Sequence, residues 1–292
     1  MLSFNLAKLM TQRPKKHHYI PKGILKHFCY RNQSKLWYHD KSKTRGVESK
    51  DKENVFYKKH YYTVTDSNGF RDASAETQFF QKIDDKISCF IDQLNECNWN
   101  IGNIEIDSDT SDFVRMFMEY YTKRTPDFIK NFDGVSDTEH AILSAIHKRI
   151  EEGYDIQPDE IARLTQPEKF NELSDYARVK AYFHSSELTS KAMAGMDVNF
   201  ATVPPNKQFI IGSNPIVVTK ENPRSTLENG VELWAPLTPQ IALGLMPGKG
   251  IPPNVFRLPE QVVRTWNLYI ANRSTEIGSS SKPLIESLLH PR

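Results

Sequence analysis

The chain has 292 residues, 38 Lys and Arg against 36 Asp and Glu, 38% hydrophobic residues and a mean hydropathy of -0.57. A chain of this size and composition buries a full core, which excludes the disordered and collagen-like classes. No apolar run is long enough to span a bilayer, and the segment MLSFNLAKLMTQRPKK lacks the uninterrupted apolar stretch of a signal peptide, so a cytoplasmic location is expected. The charge is unevenly spread: residues 1–60 carry 15 basic and 4 acidic side chains, a net +11, which leaves -9 for the remainder. So dense a basic segment attracts phosphates, because neutralising a polyanion releases its condensed counterions. The alternative is a solvated basic face paired with the acidic rest of the chain. Cys29, Cys89 and Cys97 show no CxxC pairing and are expected to be small core residues.

No repeat or low-complexity tract divides the chain, so one integrated domain over 1–292 is expected. Within it, residues 1–70 read as a basic mixed segment, 71–195 as a helical segment, and 196–292 as a β-rich segment with a closing helix. His17-His18-Tyr19-Ile20-Pro21 predicts a short strand stopped by proline, followed by a helix whose Ile24, Leu25 and Phe28 share a face. Lys35 to Asp40 is aromatic and alternating, and Val55 to Val64 is rich in Tyr, Phe and Val, so both predict strands, with a turn at Asp66 to Gly69. Phe79, Ile83, Ile87, Phe90 and Leu94 form a helical stripe, as do Phe113, Phe117, Tyr120 and Tyr121. The second helix should end near Thr125, because Pro126 disfavours a helical residue before it. Ser136 to Glu139 matches a capping box, and a further helix is expected over Lys169 to Met193. The runs Gln208 to Gly212 and Ile216 to Thr219 flank a turn at Ser213-Asn214-Pro215. Glu232 to Pro236 and Ile241 to Leu245 form a second strand pair, and a helix from about Pro259 to Asn272 follows. Together these predict an α+β fold with a helical middle packed on a mostly antiparallel sheet of N-terminal and C-terminal strands.

The most unusual local feature is the histidine pair inside the basic segment. Imidazole exchanges protons near neutral pH and ligates metals. Beside Lys15, Lys16 and Lys22 its proton affinity should fall, which favours a neutral base. Adjacent strand residues face opposite ways, so one histidine would serve a pocket and the other the structure. Two half-exposed histidines on an edge strand are the alternative.

The strings KHHYIPKGILKHF, KLWYHDK and ENVFYKKHYYT resemble the start of a large bacterial family, domain-of-unknown-function family 4238. Its members begin HHYVPxFxLRxF, followed by an LWVYDK-like strand. The resemblance extends through Glu76, Arg124-Thr125-Pro126, Ile211 to Pro215 in place of the family's TSDNP turn, and Ala235 to Pro239 in place of FPLSP. It ends with Arg264, Asn267 and Asn272 in the last helix. Two positions depart from the pattern: Ser213 stands where the family has aspartate, and Lys26 where it has arginine. Were that aspartate a metal ligand in relatives, this chain would need another carboxylate. His17-His18-x-x-Pro21 is also similar to the first strand of His-Asn-His nucleases, with Asn54 and His60 in the later positions. The spacing here is longer, and the zinc cysteines are missing.

The expected site therefore comprises His17, His18, Asp40 and Asn214 as catalytic residues, and Lys15, Lys16, Lys22 and Arg124 as phosphate contacts. His18, Asp40 and His60 would hold a divalent metal such as Mg²⁺ or Mn²⁺. Other roles stay open: Asp40 as a turn former, Glu76 as a helix cap, Arg124 as the tie of a carboxylate, Asn214 as an ordinary turn residue, and His140 and His147 as helix surface. The absence of a glycine-rich phosphate loop, GxSxG or HExxH argues against a nucleotide-driven motor, a serine hydrolase and a zincin. The expected function is cleavage of RNA or DNA phosphodiesters, as a toxin or phage-defence effector. The alternatives are a non-catalytic module binding nucleic acid or protein through the basic face, and an enzyme acting on a small phosphorylated substrate.

Overall fold

The computed structural model describes residues 15–30, 33–65, 71–73, 75–96, 102–129, 144, 146, 148–154, 157–164, 179, 182, 187–219 and 230–290. The turn at 66–69, the capping box at 136–139, Cys97, His140, His147 and much of the helix expected over 169–193 lie outside them. In chain order, β1 (Lys16–His18) leads to α1 (Lys22–Leu25) and a 3₁₀ turn (Lys26–Phe28). Next come β2 (Lys35–Asp40), β3 (Glu48–Asp51), a 3₁₀ turn (Lys52–Asn54), β4 (Tyr57–Lys59), β5 (Val64–Thr65) and β6 (Arg71–Asp72). A π-helical turn (Ala75–Phe80) opens α2 (Gln81–Glu96), followed by β7 (Gly102–Asn103), α3 (Ser108–Lys123), α4 (Pro126–Ile129), α5 (Pro158–Leu164) and α6 (Glu187–Ala194). The remainder is β8 (Met196–Thr202), β9 (Ile211–Gly212), β10 (Val217–Val218), β11 (Leu233–Pro236), β12 (Ile241–Pro247), β13 (Asn254–Arg257), α7 (Glu260–Arg273), β14 (Glu276–Ser279) and α8 (Lys282–Leu289). The fold is α+β, as expected.

The chain groups into two compact units. The first comprises Met1–His18, Tyr57–Lys82 and Gly134–Ala181. It holds two small antiparallel ribbons, β1 with β4 and β5 with β6. The second comprises Tyr19–Phe56, Ile83–Asp133 and Tyr182–Arg292, with a six-stranded sheet ordered β10-β11-β12-β8-β13-β7 and a four-stranded sheet ordered β3-β2-β14-β9. The four-stranded sheet joins N-terminal to C-terminal strands, and every pairing in it is antiparallel.

In the second unit the helices form because their apolar stripes find a partner. Ile83, Ile87, Phe90, Ile91 and Leu94 of α2 are buried, and the Phe90 ring lies 6.3 Å from Phe200 of β8. Helix α3 starts where the Asp107 side chain accepts the Thr110 amide at 2.7 Å, and it buries Phe113, Val114, Phe117 and Tyr121. It ends at Lys123, with Arg124 as its cap, close to the expected limit. Burying a large apolar side chain contributes about 1.5–3 kcal/mol. In α7, Trp266 stacks on Phe209 at 5.9 Å and meets Trp234 of β11 at 5.2 Å. Buried Asn267 accepts the Ile210 amide at 3.0 Å and donates to the Gln208 carbonyl at 2.9 Å. This asparagine, singled out by the family resemblance, thus holds the approach to β9.

Strand β8 lies at the centre of the large sheet, antiparallel to β12 and parallel to β13, yet its sequence MDVNFAT did not predict a strand. Its polar residues interrupt the pattern because they serve backbone amides: Asp197 accepts the Lys249 N–H at 2.7 Å, and Asn199 the Asn254 N–H at 3.2 Å. The cysteines also differ from expectation. Cys29 is half-buried, with burial pushing its thiol up to about 11, while Cys89 is exposed on α2. No helix among the described residues is long and apolar enough to cross a membrane.

Gly212, at the end of β9, marks a close approach. A Cβ there would lie 2.6 Å from Ile270 Cγ2 and closer still to the Ser274 hydroxyl at the end of α7. Gly212→Ala is expected to destabilise the chain by about 1–3 kcal/mol through overpacking. Denaturant unfolding measures this, and an unchanged midpoint would show that α7 gives way freely.

Candidate functional site

Two groups of side chains carry chemistry, one in each unit. In the first unit, antiparallel pairing sets Lys16 opposite Lys59, His17 opposite Lys58, and His18 opposite Tyr57. Like charges directly across a ladder repel. Aromatic faces offset part of that cost: Lys16 Nζ lies 4.7 Å from the centre of the Tyr57 ring, and Lys58 Nζ 5.2 Å from that of Tyr61. Among the described residues, Lys15 and Lys59 have no carboxylate partner.

Both histidines of β1 are buried, contrary to the half-exposed alternative. His17 has no exposed surface, stacks on Tyr62 at 5.7 Å, and accepts the Tyr62 amide on Nδ1 at 2.9 Å. A neutral imidazole has one lone-pair nitrogen. The Tyr62 amide occupies that lone pair in His17, which leaves none for taking a proton or binding a metal. His18 packs 5.6 Å from Tyr57 with its Nε2 sealed from solvent. The accessible imidazole of this ribbon is His60, half-buried in a left-handed turn at φ 55°, with its amide donating to the Lys15 carbonyl at 3.0 Å.

In the second unit, the antiparallel order β2-β14-β9 puts the end of β2, the start of β14 and the end of β9 at one edge of the four-stranded sheet. There Asp127, on the first turn of α4, ties distant segments together. Its carboxylate accepts from the Ser213 hydroxyl, from the Thr275 amide at 3.1 Å and from the Thr275 hydroxyl at 2.6 Å. The Ser213 hydroxyl in turn accepts the amides of Thr275 and Glu276, at 2.9 and 3.1 Å. Asp127 of another element thus supplies the carboxylate that meets Ser213. Asn214 donates its amide to the Ser274 hydroxyl at 2.9 Å. Lys41 donates its ammonium to the Ala271 carbonyl at the end of α7, a favourable place for a cation. Desolvation lowers the Lys41 pKa, and the nearby Asp127 charge opposes that shift. Lys41, Asp127, Asn214, Ser274 and Thr275 line a cavity of about 550 Å³ with Ser42, Asn272 and Arg273. Tyr19 belongs to the same neighbourhood: burial and the charges of Glu276 and Asp127 push its hydroxyl pKa well up.

The expected site is thus divided. His17, His18, Lys15, Lys16 and His60 belong to the first unit; Asp40, Asn214, Lys22, Arg124 and Asn54 belong to the second. Asp40 is a turn former. Burial opposes its ionisation, but the Lys43 ammonium at 2.5 Å and the Ser42 hydroxyl and amide at 2.6 and 3.0 Å hold its carboxyl below the usual range. Lys22 pairs with Glu53 at 2.9 Å. Lys26 contacts both Asp92 oxygens at 2.7 Å, so it ties its turn to α2 where relatives have arginine. The set His18, Asp40 and His60 draws on both units, and among the described residues no group of three His, Cys, Asp or Glu is arranged to hold a metal ion.

Sequence reading passed over Lys58 and Lys59, along with Lys41, Asp127 and Arg273. The first two had a legible signal, since Lys-Lys-His occurs at 15–17 and again at 58–60. The others gather only through the sheet topology.

Arg124 is 1% exposed and is not a phosphate contact. Its guanidinium forks onto Asp84 of α2 at 2.5 and 3.2 Å, so it ties a carboxylate. Burial raises the Asp84 pKa even against the Arg124 charge, so desolvation outweighs the attraction. Arg124→Met alone should therefore cost about 3–5 kcal/mol, by stranding the carboxylate, and Arg124→Met with Asp84→Leu should recover most of it. Urea unfolding of the single and double variants measures this; additive losses would contradict it.

Neither a curated protein nor a solved structure matches the chain. A family model does, described as a protein of unknown function (DUF4238) and covering residues 16–281. It spans most of the second unit's elements and the lysine ribbon, so the chain belongs to the DUF4238 family.

Proposed function

We propose that the chain binds a nucleic-acid backbone through the β1–β4 ribbon, in the cytoplasm where such ligands are found. One observation carries this reading: lysine faces lysine across the ladder, flanked by Lys15 and Lys58, with no acidic residue on either strand. Among the described residues Lys15 and Lys59 have no carboxylate partner, so each gains from a neighbour of opposite charge. A phosphate chain provides such a neighbour at regular spacing. Tyr57, half-buried beside Lys16, offers a ring of the kind on which the bases of a single strand stack.

Hydrolysis of the bound strand is a second reading, which would make the chain an effector of the toxin or phage-defence kind. His60 favours it, as the ribbon's accessible imidazole, next to Lys59 and hydrogen-bonded to the Lys15 backbone.

Fluorescence anisotropy with labelled single-stranded RNA and DNA tests the binding. Four lysine contacts predict that log K falls against log salt with a slope of about -3, a loss of about 50-fold between about 50 and about 200 mM salt. Replacing Lys15, Lys16, Lys58 and Lys59 by Gln should abolish it, and Lys22→Gln should leave it intact. Equal affinity in the fourfold variant would overturn the proposal. Denaturing gels of the same mixtures, with and without Mg²⁺ or Mn²⁺, separate the two readings. Cleavage that is lost in His60→Ala while binding is kept supports hydrolysis; no cleavage under any condition leaves binding as the function.

A further inference from the structure

The cavity at the edge of the four-stranded sheet holds more positive charge than its own chain neutralises. Lys41 and Arg273 line it, and among the described residues neither is paired with a carboxylate. The guanidinium carbon of Arg273 lies 5.2 Å from the centre of the Tyr269 ring, a cation–aromatic contact that does not use up its N–H donors. Asp127 also lines the cavity and its charge acts on Lys41, so the two cations outnumber one carboxylate, whose oxygens accept from the Ser213 hydroxyl and from the amide and hydroxyl of Thr275. The side-chain amides of Asn214 and Asn272 also line the cavity and make no hydrogen bond to any described residue. Each offers a donor and an acceptor to whatever enters.

We infer that this cavity binds a small phosphorylated molecule, with the phosphate between Lys41 and Arg273 and the remainder facing the amides of Asn214 and Asn272. Two cations against one carboxylate leave the lining net positive, which favours an anion, and the arginine fork fits phosphate oxygens in pairs. A volume of about 550 Å³ falls within the range of small-molecule sites. The inference is independent of the ribbon: it uses other residues, in the other unit.

Isothermal titration of the full chain tests it with three probes: inorganic phosphate, adenosine monophosphate and adenosine. The monophosphate is expected to bind, adenosine is not, and phosphate alone should bind more weakly and compete. Arg273→Gln removes a group that has no carboxylate partner among the described residues, so it should leave the thermal midpoint unchanged and weaken the monophosphate by about tenfold or more. Lys41→Gln should weaken the monophosphate likewise and, by removing the bond to the Ala271 carbonyl, lower the midpoint. The lysine-ribbon variant should bind the monophosphate as the wild type does, which keeps this result separate from the polymer-binding result. Absence of monophosphate binding at millimolar concentration, equal affinity in Arg273→Gln, or equal binding of adenosine would each overturn the inference. Binding of phosphate with no added affinity for the monophosphate would confine the site to the anion and remove the role given to Asn214 and Asn272.

Discussion

A three-rung ribbon with lysine facing lysine on one rung gains little from its own ladder in water. In this chain, the ring of His17 supplies what the ladder lacks. Its Nδ1 accepts the Tyr62 amide and its face lies on the Tyr62 ring, so β1 is fastened to the turn beyond β4 by a buried hydrogen bond and an aromatic stack. A buried amide left without its acceptor costs about 1–3 kcal/mol, comparable to the repulsion the ribbon must bear. Tyr62 is itself anchored by Phe80, whose ring lies 4.4 Å away at the entry to α2. One of the two histidines that look catalytic in the sequence thus keeps the lysines in register.

The second unit solves a different problem by similar means. Four loops distant in sequence meet at one end of an antiparallel sheet, where their backbone amides need acceptors. A single carboxylate, Asp127, and a single hydroxyl, Ser213, satisfy the Thr275 and Glu276 amides between them. The same carboxylate lines the cavity, where Lys41 and Arg273 outnumber it and Asn214 and Asn272 add amides. The two groups therefore divide two kinds of anion recognition: an exposed lysine ladder suits a polymer of regular charge, while a cavity lined by a few converging donors suits a small ligand.

Much of the local structure was legible in the sequence, for physical reasons particular to each element. Lys35 to Asp40 alternates cleanly because β2 buries one face, and the stripes of α2 and α3 follow the helical period because each packs one side on the large sheet. Strands β8 and β14 were not legible. MDVNFAT carries acid and amide side chains bonded to neighbouring backbone, and EIGS is too short to show a period. The candidate sites were legible only in part. The HHYIP string drew attention to the right strand, but a sequence does not reveal that an imidazole lone pair is already taken. Asp127 follows Arg124-Thr125-Pro126 directly, yet nothing local distinguishes it from any acid at a helix start. Its role arises from contacts with residues 86 and 148 positions away.

Chemical footprinting of lysines, with and without a bound oligonucleotide, tests the ribbon most directly, because it reads each ammonium group separately and leaves the sequence unchanged. Brief acylation of the full chain with single-stranded RNA, followed by peptide mass spectrometry, should show protection of Lys15, Lys16, Lys58 and Lys59, with Lys22 and Lys207 labelled as in the unbound protein. Uniform labelling in both samples, or protection confined to lysines outside the ribbon, would contradict the account.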